Sequence, residues 1–325
     1  MKKSAFSAGL AIACCLAAMG LNGCLSATGE LIGGIGELIG GVAEGTASIV
    51  EAAVEVPVSV AEAAVNCPPE FKSRFADQQE WTLDRDGASF LSAETSNGSI
   101  CLTPSPDNRI VVKAWKEVRA RRSSTAEDFA RKVDIRVERN GREIRIYKAH
   151  PKIPQGVNLS VRYEIQTPPE FDAKLDTSNG AVHIAGLHGD MDIDTSNGKV
   201  ELEGVVGRVR VCTSNGAIVL RAERLDEESE LSSSNGSIEA DIYSLCARLG
   251  LSTSNGSIHV KLPLDFNGKL DAVTSNGSVG CDFPITVKTA GRSKLIGILG
   301  DGRGPEIRLR SSNGGIRLKK IDGGE

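Results

Sequence analysis

Eight copies of a Ser-Asn-Gly triplet punctuate this chain of 325 residues, and threonine precedes six of them. Successive triplets from Asn179 to Asn276 are 18, 18, 20, 20 and 21 residues apart. A short unit that recurs at a nearly constant interval predicts a repeat architecture. The asparagines of the eight triplets are Asn97, Asn179, Asn197, Asn215, Asn235, Asn255, Asn276 and Asn313.

The residues that flank each triplet alternate between apolar and polar. Around Asn197, for example, Ile193 and Val200 are apolar, whereas Asp194 and Glu201 are charged. A period of two predicts a β-strand with one buried face on either side of the triplet. The Asn-Gly pair between the two strands predicts a turn.

Two folds satisfy this pattern: a series of β-hairpins, or a solenoid in which each repeat is one coil stacked on the last. A hairpin uses Asn-Gly for its backbone angles but has no need for the recurring threonine. Stacked coils align identical side chains, so threonine and asparagine can form hydrogen-bonded ladders. We therefore predict an all-β fold, a single-stranded parallel β-helix with coils of 18–21 residues, and interpret the eight asparagines as structural ladder residues. Five steps of ~4.8 Å would separate Asn179 from Asn276 by about 24 Å.

The regular repeat is interrupted twice. Residues 70–168 contain the first triplet and then an insertion with predicted strands at 111–118, 133–139, 143–148 and 156–166, and a short helix headed by Ser124. We interpret this region as the first coil plus a β-rich cap, because an uncovered solenoid end exposes unpaired strand edges. Residues 169–325 form the regular solenoid, in which 284–304 is expected to cover the other end.

The N-terminus has the features of an export signal. Lys2 and Lys3 precede an apolar stretch, and the box Leu21-Asn22-Gly23-Cys24 follows. The box resembles that of bacterial lipoproteins, which implies a signal peptide at 1–23 and lipidation of Cys24; the alternative is an uncleaved membrane anchor. Since Leu25 is not the aspartate that retains such proteins at the inner membrane, the resemblance implies outer-membrane sorting in a host with two membranes.

Residues 24–69 are rich in glycine, alanine and glutamate, and they contain the repeats GELIGGI and GELIGGV. Either a glycine-faced helix lies on the membrane, or a pliable tether joins the lipid to the folded domain. The glycines each cost a helix about 1 kcal/mol, which favours the tether.

Two stretches of the chain are similar to a known family. VRYEIQTPPEFDAKLDTSNGAVHI, at 161–184, resembles the entry strand of the bacterial family named "putative adhesins", and ILGDGRGPEIRLRSSNGGIRL, at 298–318, resembles its closing coil. The resemblance runs from about residue 80 to the end of the chain. It implies a right-handed β-helix on an exported or surface-anchored protein, and it brings no catalytic residues.

Candidate catalytic and metal-binding residues are few. His183 and His259 face outward but lie four coils apart, about 19 Å, which is too far to share a metal ion. The outward position four residues after each asparagine holds no converging set of carboxylates or bases, although polysaccharide-active enzymes also use parallel β-helices. We therefore predict no catalytic residue, no metal site and no cofactor.

A pair of cysteines and a group of basic residues are two further candidate sites. Cys67 and Cys101 are the pair that we predict to form a disulfide, since export places the chain in an oxidising compartment. A basic group in the insertion is either a site for anionic polymer or lipid headgroups, or an ordinary charged strand surface. It comprises Lys113, Lys116, Arg119, Arg121 and Arg122. A net charge of −4 disfavours nucleic acid as a partner.

These features predict a non-enzymatic, lipid-anchored envelope protein that binds an envelope glycan or a protein. An alternative is an envelope-maintenance factor that holds a membrane protein partner through residues 29–66. A polysaccharide-active enzyme is the less favoured third hypothesis. The sequence leaves the ligand and the oligomeric state open.

Overall fold

The computed structural model describes residues 73–321, in which 23 strands and one short helix are found. The first part contains β1 (Ser73–Asp84), β2 (Phe90–Thr95), β3 (Ile100–Pro104), β4 (Arg109–Ala120), α1 (Ser123–Ala130), β5 (Asp134–Asn140), β6 (Glu143–Ala149) and β7 (Val157–Thr167). The middle part contains β8 (Asp172–Thr177), β9 (Val182–Ala185), β10 (Met191–Thr195), β11 (Val200–Val206), β12 (Val209–Thr213), β13 (Ile218–Arg224), β14 (Ser229–Ser233), β15 (Ile238–Ile242), β16 (Leu249–Thr253) and β17 (Ile258–Leu262). The last part contains β18 (Gly268–Thr274), β19 (Val279–Cys281), β20 (Ile285–Gly291), β21 (Lys294–Leu299), β22 (Glu306–Ser311) and β23 (Ile316–Lys320).

Each coil gives one strand to each of two long sheets. Sheet I has the order β1-β4-β7-β3-β9-β11-β13-β15-β17-β23-β19, and sheet II has the order β20-β21-β18-β22-β16-β14-β12-β10-β8-β2-β6-β5. Equivalent positions of neighbouring coils pair in parallel; Val200 lies opposite Ile218, for example, and Ile193 opposite Val211. The predicted all-β solenoid is confirmed, and the hairpin alternative is wrong for the regular coils.

The core lies between the two sheets and follows from the period of two. In β10, Met191, Ile193 and Thr195 are buried, whereas Asp192 and Asp194 face outward. The same alternation holds on the opposite sheet, where Val200 and Leu202 of β11 are fully buried. Layers of medium-sized aliphatic side chains therefore fill a narrow interior.

The insertion lies beyond the first coil. β7 pairs in parallel with β3, and β4 and β1 continue sheet I in antiparallel fashion. On sheet II, β6 pairs with β2, and β5 forms a hairpin with β6 in which Asn140 pairs with Glu143 and Gly141 and Arg142 make the turn, one residue later than the Asn-Gly pair. The helix α1 begins one residue earlier than predicted. Its N-cap residue, Arg122, makes no side-chain capping bond, and Ser123 instead donates to the Glu127 carboxylate at 3.0 Å.

The last coil is out of sequence order. β22 pairs with β16 on one side and β18 on the other, and β23 lies between β17 and β19. The hairpin β20–β21 accounts for this order, because β21 occupies the outer edge of β18 and leaves only its inner edge for the last coil. Six steps, not the expected five, therefore separate Asn179 from Asn276. Within the described residues, no helix is long and apolar enough to cross a membrane.

Candidate binding surfaces

An unbroken row of asparagine amides runs along the solenoid. Each Nδ2 donates to the Oδ1 of the asparagine in the preceding coil at 2.7 Å, which gives seven such bonds. The row follows the order of coils in space, so Asn313 stands between Asn255 and Asn276. At the capped end, Asn97 donates to the carbonyl of Leu159 at 3.2 Å. These amides bind one another, and their structural role leaves the neighbouring side chains for contact with a ligand.

The threonine of each repeat is explained by the glycine that follows it. Thr253 Oγ1 donates to the carbonyl of Gly236 in the preceding coil at 2.9 Å, and it accepts the N–H of Gly256 in its own coil at 3.2 Å. The glycines are required by close approach, since a Cβ at Gly256 would lie 1.9 Å from the Gly236 carbonyl oxygen. The serine of each triplet, in contrast, has a side chain that is exposed to solvent.

These serines border a surface groove, which lies on sheet II and has a volume of about 570 Å³. The groove is shaped by the outward residues three positions before the asparagines, and it spans four coils. Its outward side chains are Glu94, Asp176, Asp194, Cys212, Ser96, Ser178, Ser196 and Ser214. Each of the four coils thus contributes one serine hydroxyl, and three of them also contribute a carboxylate, whereas the fourth contributes the Cys212 thiol.

The groove is acidic toward its capped end. Burial raises the pKa of the Asp176 carboxyl, and the adjacent charges of Asp194 and Glu94 raise it further against the opposing effect of Lys174. Burial also raises the pKa of the Cys212 thiol, with Asp194 as the next cause. Among residues 73–321, no group of three or more histidine, cysteine, aspartate or glutamate side chains could hold a metal ion. The groove can accept hydrogen bonds from a polyhydroxylated ligand.

The predicted basic group is divided between two faces of the insertion. Lys116 points inward, with 7% of its side chain exposed, and its Nζ lies 3.4 Å from Asp77 and 3.2 Å from the carbonyl oxygen of Val133. Lys113 faces outward toward Glu80 at 3.6 Å, and Arg119 pairs with Glu117. The structure therefore does not bring these residues into one anion-binding patch.

The cysteine predictions fall largely outside the described part of the chain. Cys24 and Cys67 precede residue 73, so lipidation and the disulfide with Cys101 remain predictions. Cys101 lies on β3, beside His183 of β9 on the outward face of sheet I. Cys212 and Cys246 are exposed.

Two of the outward residues that follow a repeat asparagine by four positions are neighbours in space, although other residues separate them in the order of the repeats. His183 and His259 are separated by β11, β13 and β15, as expected. Arg317, however, lies directly beside His259, because β23 is inserted next to β17. In the sequence, Gly280 falls between these two residues, so a list of repeats in chain order separates them. Only the spatial order of the coils reveals this pair.

The two-sheet solenoid and its repeated turns can be compared with known proteins. Residues 170–291 match the Toastrack DUF4097 family. The Toastrack match covers β8 to β20, and the predicted resemblance is confirmed over these residues. Among curated proteins, none is similar to this chain.

Solved structures with a related arrangement include a "putative adhesin" from Bacteroides fragilis NCTC 9343, with 13% identity, a TM-score of 0.38, and coverage of 76% of this chain and 97% of that one. A "putative cell adhesion protein" from Clostridium sporogenes ATCC 15579 has 13% identity and a TM-score of 0.31, with coverage of 76% and 100%. A "putative lipid binding protein" from Parabacteroides distasonis ATCC 8503 has 12% identity and a TM-score of 0.32, with coverage of 76% and 97%.

Proposed function

We propose that the protein is a non-enzymatic, lipid-anchored binding module of the bacterial cell envelope, which holds its ligand on the outer faces of the solenoid as an adhesin does. The observation that carries this proposal is the continuous asparagine row. It fixes every coil to the next, so the outward side chains stand in columns with a step of about 4.8 Å. Such an array is rigid and repetitive along the solenoid axis.

A repetitive array suits a repetitive ligand. Successive units of a polymer can each contact one coil, and many weak contacts held in one body give a strong combined interaction. The groove beside Asp176 and Asp194 offers a serine hydroxyl in each of the four coils that it spans and a carboxylate in three of them. An envelope glycan provides the matching repeat of hydrogen-bonding groups, and an extended protein is the alternative ligand.

Binding is favoured over turnover by the openness of these surfaces. Catalysis requires convergent groups in a site that excludes water. The carboxylates of Glu94, Asp176 and Asp194 instead lie along the floor of a shallow groove on the face of a sheet. A panel of polysaccharides is a direct check, since turnover that one carboxylate-to-amide substitution abolishes would contradict a pure binding function.

The anchor is part of the proposal and rests on the sequence around Cys24. We expect the wild-type chain to be fixed in the envelope and to confer binding of an extracellular glycan or host-cell surface on the cells that carry it. Cys24→Ser provides the control, because it removes the lipid acceptor and leaves residues 73–321 unchanged. The experiment compares envelope fractionation, surface labelling and cell adherence for the two strains.

Equal adherence of cells with and without the wild-type protein would contradict the proposal. Deletion of residues 29–66 separates it from the alternative of an envelope-maintenance factor. A binding module that is still displayed keeps its ligand after this deletion, whereas a factor that works through a membrane protein partner loses its activity.

A further inference from the structure

The inserted last coil assembles a basic cluster at one end of sheet I. On β17, His259 and Lys261 face outward, and on the adjacent β23, Arg317 and Lys319 face outward in register with them. β17 and β23 are far apart in the sequence, and their pairing in the sheet brings these four side chains together in a two-by-two block. We call this block the distal basic cluster.

Arg317 and Lys319 differ from Lys261 in their ion pairs. Lys261 is bound to the Asp241 carboxylate at 2.8 Å. Among the ion pairs found in residues 73–321, none includes Arg317 or Lys319. The nearest acids of the solenoid face are Glu239 and Asp241 on β15, two strands away, and Asp282, which follows β19. Charge that is left uncompensated on an exposed sheet is available to an anion.

A small surface depression beside Arg317, here called the distal notch, provides a site for the anion. Gly280 on β19 lies opposite Arg317, and the arginine side chain reaches over it, since a Cβ at Gly280 would be 3.9 Å from Arg317 Nε. The absence of side chains at Gly280 and Gly315 leaves a depression of about 170 Å³, with His259 and Ser278 at its margin. A second depression of about 200 Å³ lies on the other side of His259 and Arg317; Lys261 and Lys319 line it, together with the carboxylates of Glu239 and Asp241 on β15.

From this geometry we infer that the distal basic cluster binds an acidic glycan through its carboxylate or sulfate groups. The guanidinium of Arg317 is suited to a planar oxyanion, which it can hold with two parallel hydrogen bonds, while Lys319 acts as a point charge for a neighbouring group. Two shallow depressions that share one wall fit successive units of a polymer. An enclosed pocket, which would indicate a small molecule, is absent from this part of the described solenoid.

The distal basic cluster lies at the end of sheet I that is opposite to β1. β23 and β19 end sheet I, whereas β1, where the described chain begins, is the first strand at the opposite end. Ten strand steps separate β1 from β19, or about 48 Å along the sheet. The choice of a glycan over the headgroups of the membrane rests on the proposed function, in which an envelope glycan is the ligand.

The test uses the full-length protein in detergent with three polymers as probes: polygalacturonate, heparin and neutral dextran. We expect binding of at least one acidic polymer, no binding of dextran, and weakening with added salt, since exposed charges are screened. The double variant Arg317→Gln with Lys319→Gln is expected to bind about tenfold more weakly, because it removes two charge-assisted contacts. Titration calorimetry measures the affinities.

Two further variants test whether the loss of affinity arises at the distal basic cluster. Gly280→Asp places a carboxylate beside Arg317 with only ordinary contact to its neighbours, so the protein folds and loses acidic-glycan binding by a similar factor. The matched control, Lys199→Gln with Arg221→Gln, removes the same charge from the same face several coils away. Its affinity is expected to stay within about twofold of the wild type, since screening limits the effect of distant surface charges.

Three outcomes would overturn the inference: no binding of either acidic polymer by the wild type, equal weakening in the control, or binding of phosphatidylglycerol vesicles in place of the glycans. The readout also separates this inference from the proposed function. If the cluster variants lose glycan binding while wild-type cells show no adherence, the site stands and the adhesin-like function fails.

Discussion

The side-chain amide of Asn313 donates to Asn255 Oδ1 at 2.7 Å, although 58 residues separate the two asparagines. On its other side, Asn313 accepts a bond of the same length from Asn276. The row of amides therefore records the order of the coils in space. It shows that the solenoid is one continuous ladder whose rungs are not all in chain order.

The first prediction concerns the exposed row of amides. Asn215→Ala removes two bonds, one to Asn197 and one from Asn235. Because these amides are exposed to water, the net loss is expected to be small, about 1 kcal/mol in the free energy of unfolding. Urea denaturation measures it. Ser214→Ala is the control, and an Asn215→Ala protein as stable as this control would mean that the row contributes nothing.

The buried hydroxyls are expected to matter more. Thr253→Val removes the donor to the Gly236 carbonyl and the acceptor of the Gly256 N–H, and both backbone groups are buried. Two unsatisfied groups cost about 2–4 kcal/mol in the free energy of unfolding. Thr253→Ser keeps the hydroxyl, as Ser233 and Ser311 do in their own coils. Similar denaturation midpoints for the two variants would show that the hydroxyl is dispensable.

The glycines of the triplets and the glycine of the distal notch are predicted to differ in how well they tolerate substitution by alanine. A Cβ at Gly216 would lie 1.7 Å from the carbonyl oxygen of Gly198, so Gly216→Ala forces two coils apart. We expect a loss of more than about 4 kcal/mol, seen as an insoluble or unfolded product. Gly280→Ala meets only ordinary contact and is expected to retain the wild-type melting temperature. Circular dichroism and soluble yield distinguish the two.

The pH dependence of stability is predicted from the groove. The pKa of Asp176 is raised in the folded state, mainly by burial and then by Asp194 and Glu94. The folded state therefore binds this proton more readily than the unfolded state does, so stability falls as the pH rises from the unfolded pKa through the folded one. Asp176→Asn removes this loss. The variant is expected to melt above the wild type at neutral pH, with the difference shrinking in acid; the reverse order at neutral pH would contradict this assignment.

Much of the fold follows from local pattern. The buried position of Ile193 and the outward position of Asp194 are dictated by the period of two, and the Asn-Gly turns fix where each strand ends. The division of the basic group was also present in the pattern, since Lys116 shares its parity with Val112 and Val118. For Lys116, the position in its strand was a better indicator of exposure than its charge.

The order of the last coil was beyond such reasoning. Leu270 and Ala272 of β18 and Ile307 and Leu309 of β22 are all apolar at the positions equivalent to Leu249 and Leu251, so the period of two allows either strand to stack on β16. The choice depends on the hairpin β20–β21, a long-range effect that no window of the sequence contains. For the same reason, the distal basic cluster was hidden, because Arg317 becomes a neighbour of His259 only through this order.

The inserted coil has a consequence for biogenesis. A chain that emerges with its N-terminus first can add layers in sequence only as far as β17. The following segment, β18 and β19, cannot take its final position until residues 306–320 are present, unless it first docks on β16 and is later displaced. Synthesis from the N-terminus therefore supplies the closing piece of the molecule last, and the final layers form only when the chain is almost complete.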